Sequence, residues 1–146
     1  MKKFFNIPLM MIMLVGMLAI SATAQTSSTQ RVTASIPFTF SVGKTTLPAG
    51  RYTITVLNPT SDRKVLQIRS LNGRSSAMIF TTGVIGTASD DAKLVFERYD
   101  DRYVFAQAQM AGDTTSLAAM RSKAERAERN AMAKANKKSV VVIVAE

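Results

Sequence analysis

The residue types that most directly invite a chemical role stand together between positions 97 and 102: Glu97, Arg98, Asp100, Asp101 and Arg102. Paired carboxylates do the acid and base work of glycosidases. Adjacent carboxylates on a tight turn, however, point apart and into water. The flanking arginines supply ion-pair partners, so turn chemistry accounts for the cluster without catalysis. Asp90-Asp91 is a lesser case of the same kind. Gly43-Lys44-Thr45 has the form of the end of a phosphate-binding loop, but that loop needs a glycine five residues before Gly43, where Phe38 stands. The chain contains no Cys and no His. A structural zinc set and any Ser–His or Cys–His nucleophile pair are thereby excluded. No catalytic, cofactor-binding or metal-binding residue is assigned, and no cofactor is expected.

Charge points to surface chemistry. The formal net charge is +9, and from Leu117 to Glu146 seven basic residues face three acidic ones. That segment reads as a helix from about Ser116 to Asn136, rich in Ala and without β-branched residues, with Asp113, Thr114, Thr115 and Ser116 as N-cap candidates. Leu117, Met120, Ala124, Ala127 and Ala131 recur at three- and four-residue spacing, a thin stripe suited to packing on a sheet. Arg121, Lys123, Arg126 and Arg129 fall on the other faces and are the candidates for meeting an anionic surface.

The elements that must position these residues are mostly strands. From Arg31 to Val42 every even position is apolar and every odd one polar or Pro, and Tyr52, Ile54 and Val56 repeat the pattern. Strands turn alternate side chains to opposite faces, so one face is dry and one wet. Gly43 to Gly50 reads as a connection, Asn58-Pro59 as a turn, and Asn72-Gly73 as a hairpin turn between Lys64–Leu71 and Arg74–Thr81. Thr82 to Asp91 reads as a loop. Ala92–Tyr99 and Arg102–Met110 form a hairpin around Asp100-Asp101. Ser139–Ala145 is a last strand, apolar on both faces, expected inside a sheet and under the helix. The expected fold is all-β with one helix in the C-terminal region: a small antiparallel barrel or sandwich of about seven strands, the helix crossing over before the last one. A barrel of this size can hold one small apolar ligand. Phe38, Phe40, Ile54, Phe96 and Phe105 would line such a pocket, or else fill the core.

The first residues have a different character. Met1-Lys2-Lys3, an apolar run from Ile7 to Ile20, and Ser21-Ala22-Thr23-Ala24 have the three parts of a signal peptide over residues 1–24, with cleavage between Ala24 and Gln25. The apolar run is short for a bilayer span, which needs ~20 residues. Residues 25–30 form a polar, flexible lead-in and 31–146 a single β-rich domain. Without Lys2 and Lys3 the charge is +7. The processed protein is expected to be exported, periplasmic or extracellular, and not an integral membrane protein.

Several strings point to a family. Ile-Pro-Phe-Thr-Phe-Ser-Val-Gly-Lys (36–44), Leu-Pro-Ala-Gly-Arg-Tyr-Thr-Ile (47–54), Leu-Val-Phe-Glu-Arg-Tyr-Asp-Asp-Arg-Tyr (94–103) and the Ser122-x-x-Glu125-Arg126 helix resemble a family of short exported proteins numerous in acidobacteria. That family has no assigned activity. The resemblance implies export and a shared β fold, and carries no functional residues across. The resulting expectation is an exported, non-catalytic binding or envelope-associated domain whose partner is a small apolar ligand or an anionic envelope component. The alternatives are a surface-interaction protein using its basic helix on anionic envelope material and a carboxylate-based enzyme. Nucleic acid is not expected as a partner, since export argues against it and no recognition motif is present.

Overall fold

The computed structural model describes residues 30–146. The expected leader, its Ala24–Gln25 cleavage site and the lead-in up to residue 29 lie outside the described residues. The described chain folds as β1 (Arg31–Ile36), β2 (Phe40–Val42), β3 (Thr45–Leu47), β4 (Gly50–Val56), β5 (Lys64–Ser70), β6 (Ser76–Ile85), β7 (Ala92–Tyr99), β8 (Arg102–Gln109), β9 (Thr115–Ala119), α1 (Lys123–Ala135) and β10 (Lys138–Ala145). It is mostly β with one helix before the last strand, as the alternation and the late alanine-rich run require.

All ten strands belong to one sheet. Neighbours run β1, β4, β5, β6, β9, β8; β8 then borders both β7, which carries β10, and β2, which carries β3. The sheet curls until Thr33 and Glu146 exchange two backbone hydrogen bonds, of 3.2 and 2.8 Å, between β1 and the end of β10. No ladder continues between those two strands, so the sheet stays open at this seam. The concave side is the core. Ile36, Phe40, Tyr52, Ile54, Leu66, Ile68, Phe96 and Phe105 are each at most 1 % exposed. The Tyr52 hydroxyl donates to the Pro48 carbonyl at 2.6 Å, so its one polar atom is satisfied.

Four expectations change. The run from Val32 to Val42 is not one strand. Pro37 has no N–H to continue a ladder, and the chain crosses there from β4, the partner of β1, to β8, which β2 joins in parallel through Phe40–Tyr103 and Ser41–Val104. The connection from Gly43 to Gly50 contains β3, paired back on β2. The supposed loop from Thr82 begins as strand: β6 runs on to Ile85 because β9 pairs with it. Gly83 permits that approach, since a Cβ there would sit 3.1 Å from Thr115 Cγ2. Finally, Ser116 to Ala119 is β9 rather than the first turn of the helix. Leu117 and Ala119 fill the core opposite β6 and β8, and long-range pairing outweighs helix propensity worth only tenths of a kcal/mol per residue. Splitting the first strand and adding β3 and β9 turns seven strands into ten.

The last strand also departs from expectation. β10 pairs with β7 along its whole length, yet Val140, Val142 and Val144 are exposed, at 58, 50 and 58 %. The helix does not cover them.

Candidate functional site

α1 follows β9 through Met120, Arg121 and Ser122 and is held to the β7–β8 hairpin by contacts with Glu97, Tyr99 and Arg102. Its start is set locally. The Ser122 hydroxyl accepts from the Glu125 N–H at 3.2 Å, and the Glu125 carboxylate accepts from the Ser122 N–H at 2.7 Å. This reciprocal box satisfies two orphan donors of the first turn. The same N–H holds the Glu125 carboxyl below the usual carboxylate range. Helix propensity alone does not mark this point; the spacing Ser-x-x-Glu does.

The face that α1 turns to the sheet is charged. Arg129, 9 % exposed, pairs with Glu97 and donates through Nε and Nη2 to the Tyr99 hydroxyl at 3.2 and 3.0 Å. Its guanidinium also lies over the Tyr99 ring, 5.6 Å from the centroid. Tyr99 in turn donates to Glu97 at 2.7 Å. Lys138 and Arg121 approach the same carboxylate at 3.3 and 4.0 Å. Glu97 and Tyr99 are two apart on β7 and therefore share its outer face. Burial pushes the Tyr99 phenol up, an effect that Arg121 opposes, and burial lowers Arg121 from the usual arginine range. At its far end the helix meets Arg102 through Glu128, at 3.9 Å, and Met132. Apolar packing is not what attaches α1: Ala124, Ala127 and Ala131 are all exposed. The small-residue stripe expected to face the sheet faces water instead. A buried ion pair outranks three methyl groups because leaving either partner buried alone costs several kcal/mol.

Two clefts flank the helix. One, of about 390 Å³, lies beneath it, between Phe40, Ile79, Tyr103 and Phe105 of the strands and Glu125 and Arg129 of the helix. Its charged lining is matched, three carboxylates (Asp101, Glu125, Glu128) against three arginines (Arg102, Arg121, Arg129), and the rest is mostly apolar. The other, of about 440 Å³, opens where the first turn of α1 meets the outer side of β6. Its floor is Met78, Phe80 and Met120, which are 61, 61 and 41 % exposed. Phe80 and Met120 are joined by the Met120 N–H donating to the Phe80 carbonyl at 2.8 Å. Arg63 and Arg121 stand at the rim, and Arg126 lines the adjoining hollow with Thr82 and Met120.

The sequence candidates divide. Phe40, Ile54, Phe96 and Phe105 converge inside the sheet as packed core: Phe96 meets Phe40 and Phe105 edge-on, with centroids 5.3 and 5.8 Å apart. Phe38, half-buried beside Pro37, touches Phe96 edge-on at 5.2 Å and stacks on Tyr103 at 3.9 Å. The rings pack against one another, and Phe40 and Phe105 also border the cleft beneath α1. Of the four helix cations, Lys123 and Arg126 are exposed, Arg121 is half-buried and Arg129 is buried, so the four form no common solvent face. Asp100 and Asp101 are exposed at the β7–β8 turn, where Asp100 has φ 55° and its carbonyl accepts from Arg98 Nε at 2.7 Å. Nothing holds the two carboxylates toward a common point. Sequence reasoning read Glu97 only as part of the turn cluster, and it missed Tyr99, Met78, Phe80 and Arg63. A usable signal existed: Ala77 to Phe80 is apolar at both parities, so whatever faces outward there is apolar too.

Among the described residues no helix is long and apolar enough to cross a membrane. No family model, no curated protein and no solved structure matches this chain.

Proposed function

We propose that the chain is an exported, non-catalytic binding domain that works at anionic envelope material through its outer surface, in the periplasm or outside the cell. The packing of the aromatic residues carries this reading: Phe40, Phe96 and Phe105 meet one another edge to face, which favours the outer surface over a central pocket for the binding expected of the domain. The resemblance to short exported acidobacterial proteins and the +7 charge of the processed chain support the location and the sign of the partner. Lys123 and Arg126, exposed on the first two turns of α1, are the helix cations available to it.

The test is retention of the processed protein on a dextran-sulfate column over a salt series. Contacts between exposed charges weaken as the Debye length shortens from ~10 Å at ~0.1 M salt to ~3 Å at ~1 M. Retention is expected to fall steeply across that range, and Lys123→Glu with Arg126→Glu is expected to move the elution point to lower salt. Retention that ignores salt, or that survives the double substitution unchanged, overturns the proposal.

A further inference from the structure

The outward side of a strand in a one-layer sheet normally carries polar residues. β6 departs from this over half its length. Met78 and Phe80 project from it, Met120 lies beside Phe80, and Val65 of β5 stands directly across the ladder from Phe80. No element of the described residues covers them. α1 passes alongside and borders the patch with Ser122 and Glu125.

The rim is mostly basic. Arg63, Arg121 and Arg126 line the two hollows that meet at Met120. Among the described residues neither Arg63 nor Arg126 lies within ion-pair distance of a carboxylate. Glu125, the acid of this lining, is committed to the Ser122 N–H. An apolar floor with an arginine rim matches an amphiphile that is anionic at the head and apolar behind it. A sulfated or uronic polysaccharide would satisfy the arginines but leave Met78 and Phe80 in water. A second copy of the same face would oppose arginines to arginines.

We propose that this face seats on an anionic phospholipid surface, with Met78, Phe80 and Met120 entering the headgroup–acyl boundary and Arg63 and Arg126 meeting the phosphates. Arginine suits the task because its fork binds phosphate oxygens in pairs. Apolar insertion combined with cationic contact is the known physical basis of interfacial binding. The inference rests on the envelope-surface reading above and names the chemistry of that surface.

The chain has no Trp, so Phe80→Trp places a single fluorophore in the patch without removing its apolar character. Leu71→Trp, at a residue 55 % exposed beside the Asn72-Gly73 turn, serves as the control. With phosphatidylglycerol vesicles the Phe80→Trp emission is expected to shift to the blue, while phosphatidylcholine vesicles leave it in place and the Leu71→Trp protein does not respond. Met78→Ser with Phe80→Ser, both at well-exposed positions, is expected to leave the melting temperature unchanged. It is expected to lower sedimentation with the anionic vesicles by about tenfold or more. Equal shifts in both tryptophan proteins, or undiminished sedimentation of the serine variant, overturn the lipid seat. A blue shift that grows with protein concentration in the absence of vesicles assigns the patch to a second copy and overturns it as well. Retention on dextran sulfate without any vesicle response removes the lipid seat and leaves the proposed function standing; failure of both removes both.

Discussion

Replacing Arg129 by Ala isolates what holds the helix to the sheet. The substitution removes the guanidinium from Glu97 and Tyr99 and leaves Lys138 at 3.3 Å and Arg121 at 4.0 Å from the orphaned carboxylate. Breaking a buried pair from one side costs ~3–5 kcal/mol. The two remaining cations compensate part of this, so about 2–3 kcal/mol is expected, or roughly 30- to 150-fold in the opening equilibrium. The loss should be local. α1 has 13 residues, too few to persist alone in water, and no α1 residue belongs to the hydrophobic core cluster. Undocking therefore melts the helix while the sheet stays intact. Native-state hydrogen exchange reads this directly: amides from the second turn of α1 onward lose protection by the stated factor, and those of β5 and β6 keep theirs. Glu97→Gln combined with Arg129→Met is expected to recover part of the loss, since a neutral pair leaves no stranded carboxylate. Unchanged protection in α1, or an equal loss across β5 and β6, would refute the view that this pair is the helix anchor.

The capping box gives a pH signature. The Ser122 N–H holds the Glu125 carboxyl low, so the ionised form stabilises the fold above the unfolded value of ~4.3, and that contribution is lost as pH falls through the lower folded value. The wild-type helix signal at 222 nm is expected to decline below about pH 4, whereas Glu125→Gln keeps an acceptor for the Ser122 N–H, starts lower by only about 0.3–1 kcal/mol of helix stability and shows less decline; parallel acid curves would contradict it. At the β7–β8 turn, Asp100→Asn with Asp101→Asn is expected to change stability by less than about 0.5 kcal/mol, measured by urea unfolding. Asp100→Val is expected to cost about 1–2 kcal/mol because φ is 55° there. Any enzymatic activity that the double Asn variant abolished would overturn the non-catalytic reading.

Much of this protein is written in local pattern. Strict alternation around Val32–Ile36 and Tyr52–Val56 is a period-two signal that only a half-buried strand satisfies, and β1 and β4 pair accordingly. Asn72-Gly73 and Asp100-Asp101 mark tight turns by residue type, and Gly73 and Asp100 carry the positive φ angles expected of them. The absence of Cys and His removes whole classes of chemistry without reference to any fold. These features depend on a residue and its near neighbours, which is why the chain alone determines them.

The rest depended on partners far away in sequence. Ser116 to Ala119 has helix-forming composition but becomes β9, because the edges of β6 and β8 offer backbone partners and the core accepts Leu117. The face by which α1 docks was decided by Glu97 and Tyr99, some thirty residues earlier, whose outer-face position draws Arg129 inward and leaves the alanine stripe in water. Of the helix cations read as one anionic-surface set, only tertiary contact separates a buried anchor from exposed Lys123 and Arg126. The apolar composition of Ala77 to Phe80 was legible, but whether a second layer covers Met78 and Phe80 was not. Burial is a property of what lies opposite a side chain, and what lies opposite is set by the path of the whole chain.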